Sequence, residues 1–322
     1  MATDEFDCCF KCLRNPSCFS VNLAASQTVR KQPWCELLPS DKYNSPEKYQ
    51  QNKSSHHISI MSPCSSSPCH NGGTCVPNYK ENTFKCSCEK SFIGEYCEKG
   101  VESCKEVYDV YRSNVSQLVT LHFDSKPISV LCHVGDFGCG EGGWTPVMKI
   151  DGNKSTFHNN SPHWTDKKDF NLPGGKTGFD LQETKLPTYW NTPFSKICLG
   201  MKIGQQTKFI VINKPANSLY SLIADGKYRP TSLGRNKWKK LIGSQASLQR
   251  NCNKEGFNAV CNSYRRARIG ILSNNENACT TCDSRIGFGI GSPKQIICGN
   301  VAMHGGDNGD KHIKAMGYIL VQ

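Results

Sequence analysis

The sequence has no stretch approaching 18 consecutive apolar residues, so it offers no transmembrane helix. It opens MATDEFDCCFKC, with neither an apolar signal core nor a small-residue cleavage site. It has no HExxH, GxSxG or Walker loop. Serine, histidine and aspartate are present, but nothing in their order brings them together, so the expectation is that the chain is not an enzyme. Long acidic blocks are missing too, which argues against mineral templating by aspartate runs.

What the chain has in abundance is cysteine, 20 in 322 residues. Stable disulfides need an oxidising compartment, so the chain reads as secreted or cell-surface, and the location expected is secreted, in the extracellular matrix. With the opening segment as it stands, this predicts a truncated or processed N-terminus. Four N-x-S/T sequons, at Asn52, Asn114, Asn153 and Asn159, agree with that compartment and are candidate N-glycosylation sites. The formal net charge is +12, with a pI near 8.9. Such a balance suits acidic partners. The compartment removes nucleic acid, leaving acidic or sulfated glycans and extracellular matrix proteins.

The cysteines are unevenly spread. Six fall between Cys64 and Cys97, with gaps of 4, 5, 10, 1 and 8. A segment this short cannot bury enough apolar surface to fold unaided. Cross-links worth about 2–4 kcal/mol each must supply much of its stability. Six cysteines allow 15 pairings, and spacing does not choose among them. Without paired CxxC knuckles, a zinc site is disfavoured. The run Asn71-Gly72-Gly73-Thr74-Cys75, the step Cys86-Ser87-Cys88 and Gly94-x-x-Cys97 resemble the epidermal-growth-factor (EGF)-like module. That resemblance implies Cys64–Cys75, Cys69–Cys86 and Cys88–Cys97. It also implies O-glycosylation: Cys64-Ser-Ser66-Ser-Pro-Cys69 resembles the family's O-glucose pattern at Ser66, and Cys69-His-Asn-Gly-Gly-Thr74-Cys75 its O-fucose pattern at Thr74. No carboxylate precedes the first cysteine in Ser59-Ile60-Met61-Ser62-Pro63, so this module is expected to lack calcium.

Residues 1–60 hold Cys8, Cys9, Cys12, Cys18 and Cys35. Asp4 is placed to cap a helix carrying Cys8 and Cys12 one turn apart on a single face. Cys18–Leu23, Trp34–Leu38 and His57–Ile60 read as strands, with a polar surface loop over 40–56. His56 and His57 are adjacent in a strand and point to opposite faces, which disfavours a shared metal. The pattern Cys-x3-Cys-Leu, Asn-Pro-Ser-Cys-Phe-Ser-Val-Asn and Cys-Glu-Leu-Leu resembles the PAN/apple family. It implies Cys12–Cys18, Cys35 joined to Cys8 or Cys9, and one cysteine left over.

From Cys104 onward only nine cysteines occur in 219 residues, so this part can build a real core. Val119–Phe123, Ile128–Val134, Lys196–Ile203, Phe209–Ile212, Arg268–Leu272 and Met316–Val321 read as strands between long Gly-, Asn- and Pro-rich loops. Ser103-Cys104-Lys-Glu, then Cys132 and Gly142-Gly143-Trp144-Thr145, resemble the opening of fibrinogen-related domains, which implies Cys104–Cys132. The tail with Cys279, Cys282 and Cys298 resembles the intelectin branch of secreted lectins. The fold expected is therefore multidomain and disulfide-rich: an α+β PAN/apple-like domain over 1–61, a small β EGF-like module over 62–99, and an α+β fibrinogen-like domain over 100–322.

Candidate ligand sites lie in the last of these. Lys237, Lys239 and Lys240 surround Trp238, whose ring is expected to stack on a sugar while the cations meet sulfate. Arg265-Arg266-Ala-Arg268 is a second basic cluster. Asp307, Asn308 and Asp310 offer hard oxygens that suit calcium, the one cofactor the sequence points to. Gly287-Phe-Gly-Ile-Gly291 has a phosphate-loop look but precedes Ser292-Pro293 rather than a helix, so it reads as a glycine-rich strand or turn. Cys279-Thr-Thr-Cys282 reads as structural disulfides. The module order is similar to that of secreted cnidarian proteins, including skeletal organic matrix proteins of stony corals. The function expected is a matrix or adhesion protein with a carbohydrate- or matrix-binding C-terminal domain, as in a biomineral matrix. The alternative is a soluble EGF-type signalling ligand.

Overall fold

The structure is a computed structural model, and it describes residues 4–24, 34–43, 45–123, 126–291 and 295–322. Ser292-Pro293, after the glycine-rich run, lies outside them. The chain divides into two compact units, Met1–Gly100 and Val101–Gln322. Both are disulfide-rich and mostly β: among the described residues nine disulfides are closed and the longest helix spans ten residues. No helix among the described residues is long and apolar enough to cross a membrane.

In the first unit the helix Glu5–Arg14 starts where the Asp4 side chain accepts from the Asp7 amide at 2.8 Å. Its buried face carries Cys8 and Cys12, bonded to Cys35 and Cys18. These bonds hold it to a three-stranded antiparallel sheet, with Ser20–Ala24 between Cys35–Leu38 and Ser55–Ser59. Five cysteines and the apolar Val21, Leu23 and Ile58 make up this small core. Cys9 is left unpaired.

The cysteine-rich segment follows as a hairpin, Thr74–Asn78 against Thr83–Ser87, and a two-residue pairing of Phe92–Ile93 with Lys99–Gly100. Its bonds are Cys64–Cys75, Cys69–Cys86 and Cys88–Cys97. The Asn-Gly-Gly run has a clear physical task here. Asn71 has φ +50° and donates its side-chain amide to the Cys97 carbonyl at 2.8 Å. A Cβ on Gly73 would lie 2.7 Å from the Cys97 sulfur, so only glycine lets this turn seat against the last disulfide.

The second unit is built on two antiparallel sheets. The seven-stranded one runs Gln206–Ala216, Phe194–Ile203, Met316–Val321, Gly143–Asp151, Ile128–Val134, Gln117–Leu121, with Thr184–Lys185 pairing off Gly143–Asp151. The six-stranded one is a meander in chain order: Arg229–Pro230, Asn251–Val260, Arg266–Asn274, Ser284–Phe288, Cys298–Ala302, Lys311–Lys314. Alternation along the strands sends every second side chain into one shared core. Ile197, Leu199 and Met201 from one sheet meet Ile269, Ile271, Ile286 and Phe288 from the other, together with Trp164 and Trp238. The opposite face of the larger sheet is also buried, by Cys198, Tyr318 and Leu320 with Trp144. Cys139–Cys198 ties that layer down.

Gly142-Gly143 allows close packing at the start of this unit. A Cβ on Gly143 would sit 2.1 Å from the Cys104 carbonyl oxygen, so the helix Cys104–Tyr111 lies directly on the strand. Trp144 is fully buried and donates its indole N–H to the Gly140 carbonyl at 3.1 Å. Cys104 is bonded to Cys132. The glycine-rich run Gly287–Gly291 opens on a strand. Gly256, Gly270, Gly287 and Gly299 face one another across four neighbouring strands. A Cβ on Gly287 would meet the Ile269 carbonyl oxygen at 2.2 Å and one on Gly299 the Ile313 oxygen at 2.0 Å. Cys279 and Cys282 are bonded to Cys252 and Cys261, and the four sulfur-bearing residues pack on the outer face of this sheet.

Candidate functional site

The lysine cluster sits on a short helix, Arg235–Lys240, which spreads its side chains around an axis instead of gathering them on one face. Trp238 points inward. It is 0% exposed, and its indole N–H donates to Glu255 Oε2 at 2.6 Å. The expectation that Trp238 stacks on a sugar is therefore overturned: the ring is a core residue, fully buried among apolar neighbours. Glu255 collects this whole segment. Its carboxylate also accepts from Thr231 Oγ1 at 2.9 Å and from the amides of Leu233 and Gly234 at 3.1 and 2.9 Å.

Lys239 is likewise not free for a ligand. Its ammonium lies 2.7 Å from Asp307 Oδ2, and Arg235 Nη2 reaches the same oxygen at 2.8 Å. The other oxygen, Oδ1, accepts from the Leu248 amide at 3.0 Å. Burial alone would raise the Asp307 carboxyl, but hydrogen bonds from Lys239, the Leu248 amide and Arg235 outweigh it and bring it down to about 2. The calcium site expected at Asp307, Asn308 and Asp310 does not form. Asp307 is already matched by two cations, which would repel a third. Asn308 spends its side-chain N–H groups on the carbonyls of Ser244 and Ala246, leaving exposed Asp310 as the remaining carboxylate. The two sites expected separately are thus one ion-paired clamp between the helix and the loop before the last meander strand.

Lys237 and Lys240 remain uncommitted among the described residues, and Lys214 joins them. Lys214 and Lys237 line a groove of about 660 Å³ whose other polar groups are Asn213, Thr231 and Ser232. The Arg265–Arg268 cluster is spent internally. Arg265 pairs with Asp283 at 3.4 Å, Arg266 reaches Asn160 at 3.3 Å, and Arg268 Nε donates to the Asn159 carbonyl at 2.7 Å.

Of the sequon asparagines, Asn52, Asn114 and Asn153 are exposed. Asn159 is 7% exposed and donates its side-chain amide to the Gly289 carbonyl at 2.7 Å. The nitrogen is held in a buried position with no open surface for a glycan, so Asn159 is withdrawn as an acceptor. In the cysteine-rich module Ser66 and Thr74 are both exposed. Sequence reasoning marked Arg235 as the start of the lysine cluster but missed Glu255 and Lys214. Nothing in the local pattern marks Glu255, whose partners come from segments distant in the chain.

Comparison with known proteins assigns the central module. Residues 64–96 match the family model of the EGF-like domain. The chain is similar to a cubilin homolog of Caenorhabditis elegans, 37% identical over 71 residues, which is 19% of this chain and 2% of that protein. It is also similar to the hepatocyte growth factor activator serine protease of Mus musculus, 44% identical over 45 residues, 14% of this chain and 7% of that protein. A third relative is the human EGF-like repeat and discoidin I-like domain-containing protein 3, 40% identical over 48 residues, 13% of this chain and 10% of that protein. The chain thus spans a tenth or less of the length of each of these three relatives.

Proposed function

We propose that this chain belongs to a secreted extracellular matrix or adhesion protein whose C-terminal unit binds acidic or sulfated glycans. In this reading residues 1–61 are a PAN/apple-like domain, 62–99 the EGF-like module and 100–322 a fibrinogen-like, intelectin-like domain. The module order fits a component of a biomineral organic matrix. One observation supports the glycan reading above the others. The groove carrying Lys214 and Lys237 combines cations free of internal partners with the hydroxyl of Ser232 and the side-chain amide of Asn213. Hydroxyl and amide groups match sugar hydroxyls, and unpaired ammonium groups match sulfate or carboxylate.

The test is retention on a heparin column. The chain is expected to bind and to elute with added salt, because exposed charge contacts are screened over about 8 Å at physiological ionic strength. Replacing Lys214, Lys237 and Lys240 by glutamine removes the free cations and spares Lys239, which the fold uses. The variant should elute at clearly lower salt with an unchanged circular dichroism spectrum. Co-elution with wild type would refute the groove as the glycan site.

A further inference from the structure

A second cavity lies on the outer face of the six-stranded sheet, remote in the chain from the lysine groove. It is built around Arg285. This residue stands opposite Leu272 on one side and Val301 on the other, and directly paired residues share a face. That face is the small apolar cluster of Ala259, Ala267, Leu272, Ile290 and Val301, so Arg285 as a residue is only 2% exposed. A buried cation normally fills its donors. Arg285 does not: Nη2 reaches Gln295 Oε1 at 3.3 Å, while Nε and Nη1 have no hydrogen-bond partner. Asp283, the carboxylate whose charge acts on it, is engaged by Arg265. Burial, with the repulsion of Arg265 added, pushes the Arg285 guanidinium down to about 10, so it stays charged at neutral pH.

Beside Arg285 the surface opens into a cavity of about 490 Å³. Arg265, His312 and Lys314 line it on the polar side, and Val301 and Met303 form an apolar wall. The placement follows from register. Val301 pairs with His312, so His312 continues the row of Arg285, and Lys314 falls two residues further on the same face. No carboxylate lines the cavity among the described residues. Its size is that of pockets holding small molecules.

We infer that this cavity binds the oxyanion group, carboxylate or sulfate, of a monosaccharide-sized acidic ligand, with Arg285 as its buried anchor. The anion would satisfy Nε and Nη1, which the protein leaves empty, while Lys314 meets it from the rim and Val301 and Met303 cover its apolar edge. A planar donor set suits either oxyanion. The choice of a sugar scaffold rests on the acidic-glycan reading above; the demand for an anion rests on Arg285 alone.

The experiment uses the full chain at constant ionic strength. Sodium glucuronate, N-acetylglucosamine 6-sulfate and glucose are titrated by calorimetry, and thermal unfolding is followed in parallel. Saturable binding of glucuronate identifies the carboxylate source and binding of the sulfated sugar the sulfate source. The bound ligand should also raise the unfolding temperature, because it binds only the folded state. Glucose should do neither. Arg285→Gln should weaken binding at least tenfold. Lys314→Gln, at an exposed position that does not threaten folding, should weaken it about twofold to fivefold. The Lys214, Lys237 and Lys240 variant should bind these monosaccharides as wild type does, whether or not it still holds heparin, so failure of one site is separable from failure of the other. No binding of either acid, equal binding of glucose, or unchanged affinity in Lys314→Gln would each overturn the inference.

Discussion

Asp307→Asn tests the ion-paired clamp directly. The wild-type carboxylate accepts from Lys239, Arg235 and the Leu248 amide, and its side chain is 23% exposed. Asparagine keeps the shape and one acceptor but removes the charge. The carboxyl goes from an ordinary value of 3.8 to about 2 in the folded chain. At 1.36 kcal/mol per unit that drop would be about 2 kcal/mol, and solvent screening of this partly exposed group reduces its share of folding stability to about 1 kcal/mol. The sign follows from the direction. A carboxyl depressed on folding stabilises the native state fully above its unfolded value, near pH 4, and loses that contribution as pH falls through about 2. Equilibrium unfolding in urea, with disulfides intact, would be measured for both proteins from pH 2 to pH 7. Other carboxylates titrate in the same range, but they are common to both proteins and cancel in the difference. The gap between wild type and variant should be about 1 kcal/mol above pH 4 and should close towards pH 2. Calcium should leave both curves in place. A gap independent of pH, or a wild type stabilised by calcium, would refute the clamp and restore Asp307 as a metal ligand.

Trp238→Phe should cost about 1–3 kcal/mol, since it removes a buried hydrogen bond to Glu255 and leaves a small void, yet should not alter heparin retention; weaker retention in a folded variant would return the indole to the ligand surface. Mass spectrometry of the native protein should find N-glycans at Asn52 or Asn114, none at Asn159 and none at Asn153, which lines the Arg285 cavity, and O-glycans at Ser66 and Thr74; an occupied Asn159 would contradict its burial. Alkylation of the native chain should modify Cys9 alone, faster as pH rises, because burial and then Glu5 push its thiol up and the thiolate is the reactive form. Cys298 is fully buried with its thiol pushed well up, and should react only after unfolding; native labelling there would show the core to be open.

Much of this architecture can be read from the sequence where one physical rule dominates. Lys196–Ile203 and Met316–Val321 are legible because both faces of their sheet are buried, giving dense apolar strands. The Asp4 cap and the Cys8 and Cys12 face follow from helical period alone. The α+β expectation for the C-terminal part gives way to a mostly β unit. Strands such as Asn251–Val260 and Cys298–Ala302 carry Asn and Gly, which usually signal turns. Their outer face is covered by disulfides and the Arg285 cluster, so no polar alternation marks them. Trp238 misleads for a related reason: three lysines in a row of four look like surface, but one helical turn is enough to send the indole inward. The partners of Asp307 and Glu255 lie far along the chain, and no local pattern announces such contacts.

The file of glycines across the meander sets where this unit can tolerate inherited variation. Any single-nucleotide change of a glycine codon that alters the residue adds at least a Cβ, and at Gly287 or Gly299 that atom would overlap a neighbouring backbone oxygen. Backbone cannot step aside as a side chain can, so a larger neighbour elsewhere offers no compensation. Opening one strand pair to make room would also strain the adjoining pair, since the four glycines share one row. Substitutions should therefore accumulate in the loops at either end of this row and be purged along it, leaving a line of fixed positions in a region whose composition otherwise looks permissive.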